Sequence, residues 1–172
     1  MRIRAAESGD AEAITALHAA GWRVGYGDFF PDQVIDDAID ARRDRWTALL
    51  QSGRLDPMDL LVAEEDGVIL GFCHSSAHDE HADARMIHSF YVEKSRWGTG
   101  AAPLLMRAAL EHAKETGYRH VYLTAYERSA RARGFYEKTG FLLTGRRIEY
   151  ELPGYGSTVD VEYELDLGAE DP

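Results

Sequence analysis

A strand, a glycine-rich loop and a long helix follow one another in the middle of the chain, and this succession constrains the fold most. Residues 85–92 (RMIHSFYV) predict a strand. After KSRW come the small residues GTGAA at 98–102 and then an amphipathic helix with Leu104, Leu105, Ala108, Leu110 and Ala113 on its apolar side. Small residues at a helix start let backbone N–H groups close on an anion. The loop therefore suits a pyrophosphate.

This loop does not match two other phosphate-binding motifs. It lacks the Gly-Lys-Ser/Thr ending of a Walker loop, and Pro103 stands where a G-x-G-x-x-G fingerprint counted from Gly98 has its last glycine. Nucleoside-triphosphate and NAD sites are therefore disfavoured. For the loop taken alone, a tight strand-to-helix connection without a ligand is the alternative.

The N-terminal part of the chain predicts helices and a hairpin. A strand at 1–5 precedes a helix that carries Ile14 and Leu17, the glycine- and aromatic-rich stretch GWRVGYGDFF (21–30) predicts a loop, and a second helix includes Trp46. Two β-rich runs at 60–64 and 68–74 enclose Asp66-Gly67, a pair that supplies the positive φ angles of a tight hairpin.

The C-terminal part predicts a strand at 120–126, a short helix at 129–139 and two alternating strands at 141–152 and 159–167. One parallel crossover between antiparallel hairpins indicates an α/β fold with a mixed, mostly antiparallel central sheet of about seven strands and flanking helices. We expect residues 1–167 to form a single domain and residues 168–172 to form a tail.

Charge and composition exclude several kinds of partner. Nineteen basic against thirty acidic residues give a formal net charge of -11, which repels phosphate backbones and anionic lipid surfaces. We expect no nucleic-acid partner and no membrane partner, since no apolar run approaches the length of a membrane span. The single cysteine, Cys73, and the absence of a charged-then-apolar leader fit a cytoplasmic protein.

Two segments, taken together, carry a family resemblance. FYVEKSRWGTGAAPLLM (90–106) resembles the acetyl-CoA-binding motif V-x-P-x-x-R-G-x-G-x-G/A-x-x-L-L of the GNAT superfamily of N-acetyltransferases. SARARGFYEKTGF (129–141) resembles the later N-x-x-A-x-x-F-Y-x-x-x-G-F motif of the same superfamily. Their order and spacing also match, and the specific part of the resemblance covers residues 84–145.

The resemblance implies a GNAT-like acyl-CoA N-acyltransferase fold with acetyl-CoA as cosubstrate. It places the pyrophosphate on backbone amides of the loop and pairs the end of the preceding strand with the pantetheine. The residues implied in cofactor binding are Phe90, Tyr91, Val92, Arg96, Trp97, Gly98, Thr99, Gly100, Ala101, Ala102 and Ser129.

The chain departs from the family motifs at two positions. Trp97 stands where the family usually has Arg or Gln, with Arg96 one place earlier, and Ser129 replaces a common cofactor-contacting asparagine. Arg96 and Thr99 are the candidates for an added side-chain hydrogen bond to phosphate, and Arg96 is preferred because its hydrogen bond is charge-assisted.

Tyr136 aligns with the family tyrosine that donates a proton to the departing thiolate, and a phenol with a reference pKa of about 10 can do so. Packing of Phe135 and Tyr136 against the sheet is the alternative. His88 is a candidate base because the reference pKa of histidine is about 6.5, although a structural histidine is equally compatible with its position.

Other histidines and aromatic residues give weaker hypotheses. His74, His78 and His81 match no metal signature, so we interpret them as a solvated loop and expect no metal. An aromatic substrate wall is a hypothesis for Trp22, Tyr26, Phe29 and Tyr155, with core packing as the alternative.

The bulky loops favour a small-molecule amine as acceptor, attacked directly in a ternary complex. The alternatives are a non-catalytic acyl-CoA-binding module and a protein N-terminal or lysine acetyltransferase. Two alternating C-terminal strands with an open edge also favour a homodimer.

Overall fold

Seven strands form one mixed sheet in the order β1-β2-β3-β4-β5-β7-β6. The computed structural model describes residues 1–27, 30–53, 55–152 and 156–168, apart from the side chains of residues 38, 41–44 and 152. The strands are β1 (Arg2–Ala5), β2 (Leu60–Glu65), β3 (Val68–Ala77), β4 (Ala84–Val92), β5 (His120–Tyr126), β6 (Leu142–Leu152) and β7 (Gly156–Asp166). The helices are α1 (Ala11–Tyr26), α2 (Asp32–Gln51), α3 (Ala101–Glu115) and α4 (Ala130–Lys138).

The strand pairing confirms the predicted fold class. β1 with β2, β2 with β3, β5 with β7 and β6 with β7 are antiparallel, and β4 runs parallel to β5. The β2–β3 hairpin turns at Asp66 and Gly67, whose φ angles of 52° and 79° are those that the Asp-Gly pair predicts.

The chain divides into two compact units, the first comprising Met1–His74 and Ser89–Ala109. Its core joins the inner faces of α1 and α2 to β2 and β3, with six buried residues: Ile14, Leu17, Trp46, Leu60, Val62 and Phe72. A buried hydrogen bond lies within this aromatic core, since Trp46 Nε1 donates to His18 Nδ1 at 3.1 Å. The bond satisfies the indole N–H that burial removes from water.

The second unit comprises Ser75–His88 and Leu110–Pro172. Alternate residues of β5 (Val121, Leu123 and Ala125) are buried, as are Val161 and Tyr163 on β7. Helix α4 adds the aromatic contacts of Tyr136 with Phe141 and Tyr163, each at 6.1 Å between ring centroids.

The predicted loop at 21–30 is wrong for residues 21–26, because α1 continues through Tyr26. A Cβ on Gly21 would lie 2.1 Å from Tyr91 Cδ1, so this glycine permits close helix-to-strand packing and does not mark a turn. Residues 28 and 29 lie outside the described part of the chain.

Candidate functional site

The glycine loop ends in a helix start whose first backbone N–H groups precede the hydrogen-bond ladder of the helix. Gly98 and Gly100 have φ angles of 78° and 92°, a region that favours glycine. The first hydrogen bond of α3 runs from Leu104 N to Gly100 O at 3.1 Å, so the N–H groups of Ala101 and Ala102 precede the helical ladder. A Cβ at either glycine would meet nothing within 4 Å, and residues 98–100 are exposed, so the open space lies beside the two glycines that precede α3. The arrangement fits an anionic phosphate group.

Side chains hold the loop in this shape. Trp97 Nε1 donates to Val92 O at 3.0 Å and so ties the loop to the end of β4. Thr99 Oγ1 donates to Arg96 O at 2.8 Å. Trp97, which replaces the usual polar residue of the motif, therefore serves the loop through an internal hydrogen bond.

Arg96, the preferred phosphate candidate, is paired with an acidic residue. Its guanidinium Nη2 lies 2.8 Å from Glu65 Oε2, and 38% of the Arg96 side chain is exposed. Glu65 also lies 3.5 Å from the N-terminal amine. The role of Arg96 as a phosphate ligand stays a prediction.

The end of β4 is held against β3 in the first unit. Glu93 N donates to Leu70 O at 2.8 Å, and a Cβ on Gly71 would lie 2.8 Å from Tyr91 O. The Tyr91 ring stacks on Phe72 at 5.5 Å and lies 4.8 Å from His18. Phe90, Tyr91 and Val92 are half-buried, and their pairing with pantetheine stays a prediction.

Tyr136 lies on α4 in the second unit and is only 8% exposed. Its ring is 5.6 Å from Phe135 and contacts Phe141 and Tyr163. Packing therefore fixes the position of the ring, which a positioned proton donor also requires. Ser129 precedes α4 and accepts the Arg133 N–H on its carbonyl at 3.1 Å.

His88 lies where the parallel strands stop pairing. The β4–β5 register runs from Ala84↔His120 to Ile87↔Leu123, so His88 is the first β4 residue after it. The imidazole is exposed, and its Nε2 lies 2.7 Å from Ser76 Oγ. This position gives the candidate base access to solvent.

Thr124 and Asp160, two polar residues of the second unit, were missed by the sequence analysis. Thr124 follows the last β5 residue that pairs with β4, and its hydroxyl hydrogen-bonds the Asp160 carboxylate of β7. Burial raises the pKa of Asp160 above its usual range. The available signal is the alternation of polar residues in HVYLTAY and STVDVEYELD, which places these polar residues on one face of each strand.

Two of the four residues predicted to form an aromatic wall lie in the described part of the chain. Trp22 and Tyr26 lie on α1 with ring centroids 5.0 Å apart, while Phe29 and Tyr155 lie outside the described residues. Trp22 also lines a small recess in the first unit, together with Thr15, His18, Ala19, Ile39 and Trp46. A role of this wall in substrate binding stays a prediction.

The interpretation as a solvated loop is wrong for His74, whereas His78 and His81 lie in the loop between β3 and β4, where His81 is exposed. His74 lies on β3, is 6% exposed and packs edge-on against Trp46 at 5.6 Å. His78 and His81 lie 4.7 Å apart, and each ring is 5.0 Å from Tyr122. Aromatic packing holds these side chains.

A mixed sheet with a backbone anion cradle at the start of α3 defines a class of α/β proteins that hold phosphate-bearing ligands. Within the described ranges, no helix is long and apolar enough to cross a membrane.

Comparisons with known proteins identify the family within this class. A model described as the acetyltransferase (GNAT) family matches residues 16–141. An N-acetyltransferase of Mycobacterium tuberculosis is 35% identical over 88 residues, which are 51% of this chain and 55% of that protein. The chain therefore matches about half the length of this relative. Another M. tuberculosis N-acetyltransferase is 28% identical over 153 residues, 88% of this chain and 85% of that protein.

A solved structure supports the fold assignment. The PaiA N-acetyltransferase of Thermoplasma acidophilum, in complex with coenzyme A, superposes with a TM-score of 0.75 at 19% identity, over 96% of this chain and 98% of that chain. This chain belongs to the acetyltransferase (GNAT) family. The family and fold predicted from residues 90–106 and 129–141 are confirmed.

Proposed function

We propose that this protein is an N-acetyltransferase that moves the acetyl group of acetyl-CoA to a primary amine of a small molecule, by direct attack in a ternary complex. The backbone cradle at Gly98 and Gly100, at the start of α3, is the observation that carries the proposal. Family membership supports the same activity, and the Thermoplasma protein of similar fold binds coenzyme A.

The cradle supplies binding and orientation. The N–H groups of Ala101 and Ala102 hold the pyrophosphate, and Trp97 keeps the loop in shape through its bond to Val92. Acetyl-CoA supplies an activated acetyl thioester. Holding amine and thioester together lowers the barrier by up to about 7–11 kcal/mol, so positioning contributes most of the rate.

Tyr136 supplies a proton in the same reaction. Its phenol donates to the sulfur that leaves the acetyl group, and the aromatic contacts with Phe141 and Tyr163 keep the ring in place. Acid–base assistance of this kind contributes about 10²–10⁴-fold, less than positioning.

A thiol-release assay tests this function. Acetyl-CoA is offered with spermidine, an aminoglycoside, free amino acids and short peptides as acceptors, and coenzyme A binding is measured by calorimetry alongside. Release of thiol with a small amine supports the proposal, and release with peptides alone identifies a protein acetyltransferase. If coenzyme A binds but no acceptor gives thiol release, the protein is a non-catalytic acyl-CoA-binding module. If coenzyme A does not bind, the assignment of acetyl-CoA as cosubstrate is overturned.

We also propose that residues 1–167 act as one catalytic domain, that the protein works in the cytoplasm, and that it forms a homodimer through β6. This strand lies at the edge of the sheet and exposes Leu142 and Leu143 by 74% and 50%. Light scattering on the full chain measures the mass, and a monomer that persists at micromolar concentration overturns the dimer.

A further inference from the structure

Polar side chains share one face of the sheet in the second unit. Thr124 of β5 is directly opposite Glu162 of β7, and Tyr126 of β5 is opposite Asp160. Paired residues point to the same face and residues two apart along a strand do so as well. Thr124, Tyr126, Asp160 and Glu162 therefore lie together on this face.

The sheet opens at the same point. β4 and β5 pair only as far as Ile87↔Leu123 although β5 continues to Tyr126, so Thr124 is the first β5 residue without a register partner on β4 among the described pairs. The Thr124 hydroxyl donates a hydrogen bond to the Asp160 carboxylate. A ligand can approach this carboxylate at the point where β4 and β5 no longer pair.

The carboxylates of Asp160 and Glu162 differ in their partners. Glu162 is 6% exposed, accepts a hydrogen bond from Thr144 Oγ1 at 2.9 Å and lies 3.4 Å from Arg146 Nη1. Asp160 is half-buried, and the described residues offer it the Thr124 hydroxyl and no basic side chain. Burial of a carboxylate without a cation is unfavourable unless a ligand supplies the charge.

We propose that Asp160 binds the ammonium group of the acceptor and accepts the proton that this group must lose before it attacks. The inference rests on the proposed acetyl transfer and deepens it, because it assigns the acceptor to cationic amines. Thr124 is the positioning residue, since its hydroxyl orients the carboxylate.

Two protons leave the ammonium nitrogen during the proposed reaction. An N–H bond of the ammonium breaks with its electron pair left on nitrogen, and an O–H bond forms on Asp160. The neutral amine then forms a C–N bond with the acetyl carbon as the C–S bond breaks. Tyr136 gives its phenol proton to the departing sulfur and regains the second proton of the amine, and the proton held by Asp160 passes to water.

The surroundings of Asp160 favour this role. Several titratable and charged groups of the described strands share its face: His88 of β4, His120, Tyr122 and Tyr126 of β5, Arg146 and Tyr150 of β6, and Glu162, Glu164 and Asp166 of its own strand. Arg146 is shared between Glu80, at 2.9 Å, and Glu162. The raised pKa of Asp160 makes its carboxylate a stronger base than an exposed aspartate. Burial, and after it the Asp160 carboxylate, also raises the pKa of Tyr150.

The test compares Asp160→Asn with the full unaltered chain, using the fastest amine of the acceptor panel. Asparagine keeps an acceptor for the Thr124 hydroxyl but removes the charge. We expect kcat/KM to fall about 10²-fold and its acid limb to disappear, while coenzyme A binding stays within about twofold. Asp160→Glu should restore part of the rate because it restores the carboxylate.

Asp166→Asn is the matched control, with the same change on the same strand and face about 20 Å away. It should leave the rate unchanged. Full kcat/KM in Asp160→Asn, or loss of the acid limb in His88→Gln instead, overturns the inference and leaves the transferase in place. No acetyl transfer by the unaltered protein overturns the proposed function and the inference with it.

Discussion

Gly21 of α1 lies so close to Tyr91 of β4 that a Cβ atom on the glycine would be 2.1 Å from the ring carbon Cδ1 and 2.5 Å from Cε1. The ring cannot turn aside freely, because Phe72 stacks on it and His18 lies 4.8 Å away. Because Gly21 has no side chain, α1 can pack closely against β4, the strand that precedes the phosphate cradle.

Gly21→Ala should therefore destabilise the protein by about 1–3 kcal/mol through overpacking. The measurement is the free energy of unfolding from urea titration. Gly25→Ala on the same helix is the control, since a Cβ there meets nothing within 4 Å. It should stabilise by up to about 1 kcal/mol because alanine favours helix over glycine. Equal effects of the two substitutions would refute the steric explanation.

Gly100→Ala should weaken coenzyme A binding and also destabilise the fold by about 1–2 kcal/mol, because alanine disfavours the positive φ angle of this position. Gly117→Ala imposes the same strain, at a φ of 89° after α3, away from the cradle. We expect similar melting temperatures for the two variants and a loss of affinity only for the first. The affinity for coenzyme A is measured by calorimetry. Equal affinities of the two variants would contradict a role of Gly100 in the cradle.

Tyr136→Phe should slow turnover by about 10²-fold or more when chemistry limits the rate, and leave coenzyme A binding unchanged. The substitution removes one hydroxyl and keeps the ring that contacts Phe141 and Tyr163. Tyr118→Phe is the control, because it also removes one hydroxyl and keeps the ring under the Arg85 guanidinium. Full turnover of Tyr136→Phe would assign Tyr136 to packing alone.

Arg4→Met should make stability less dependent on pH in the acid range. Hydrogen bonds from Arg4 hold the pKa values of Asp10 and Glu64 below their usual range. A carboxyl with a lowered folded-state pKa stabilises the fold above its unfolded pKa, near 4, and loses that contribution as pH falls towards the folded value. The melting temperatures of the unaltered protein and Arg4→Met should therefore converge below about pH 4.

Arg2→Met is the comparison for this pH series, since Arg2 bonds Glu64 but not Asp10 and its side chain is 69% exposed. Its effect should be smaller at every pH, because exposed ion pairs are weak. A difference between Arg4→Met and the unaltered protein that does not vary with pH would place the contribution of Arg4 in packing.

Local sequence signals predicted the parts of the fold that local chemistry determines. The Asp66-Gly67 pair gave the hairpin because few residues accept those φ angles, and the GTGAA stretch gave the cradle because it needs small residues. Gly21 was misinterpreted because its reason, the approach of Tyr91, comes from a residue seventy positions later. No local pattern reveals such a contact.

The polar face around Asp160 was missed for a related reason. Alternation along β7 predicts which residues share a face, but the register with Thr124 and the end of the β4–β5 pairing depend on how distant strands align. The Arg96–Glu65 pair also escaped notice because its partners lie on separate elements. The sequence thus predicts the shape of the loop before α3 better than the grouping of polar residues around Asp160.

The burial of Cys73 has a practical consequence for every measurement of released thiol. The side chain is 1% exposed on β3, and the chain has no other cysteine. A thiol reagent added to the folded protein therefore counts coenzyme A with little background from the enzyme, and any slow reaction of Cys73 reports how often β3 becomes accessible to solvent. The same chemistry can thus follow both turnover and the opening of the native state.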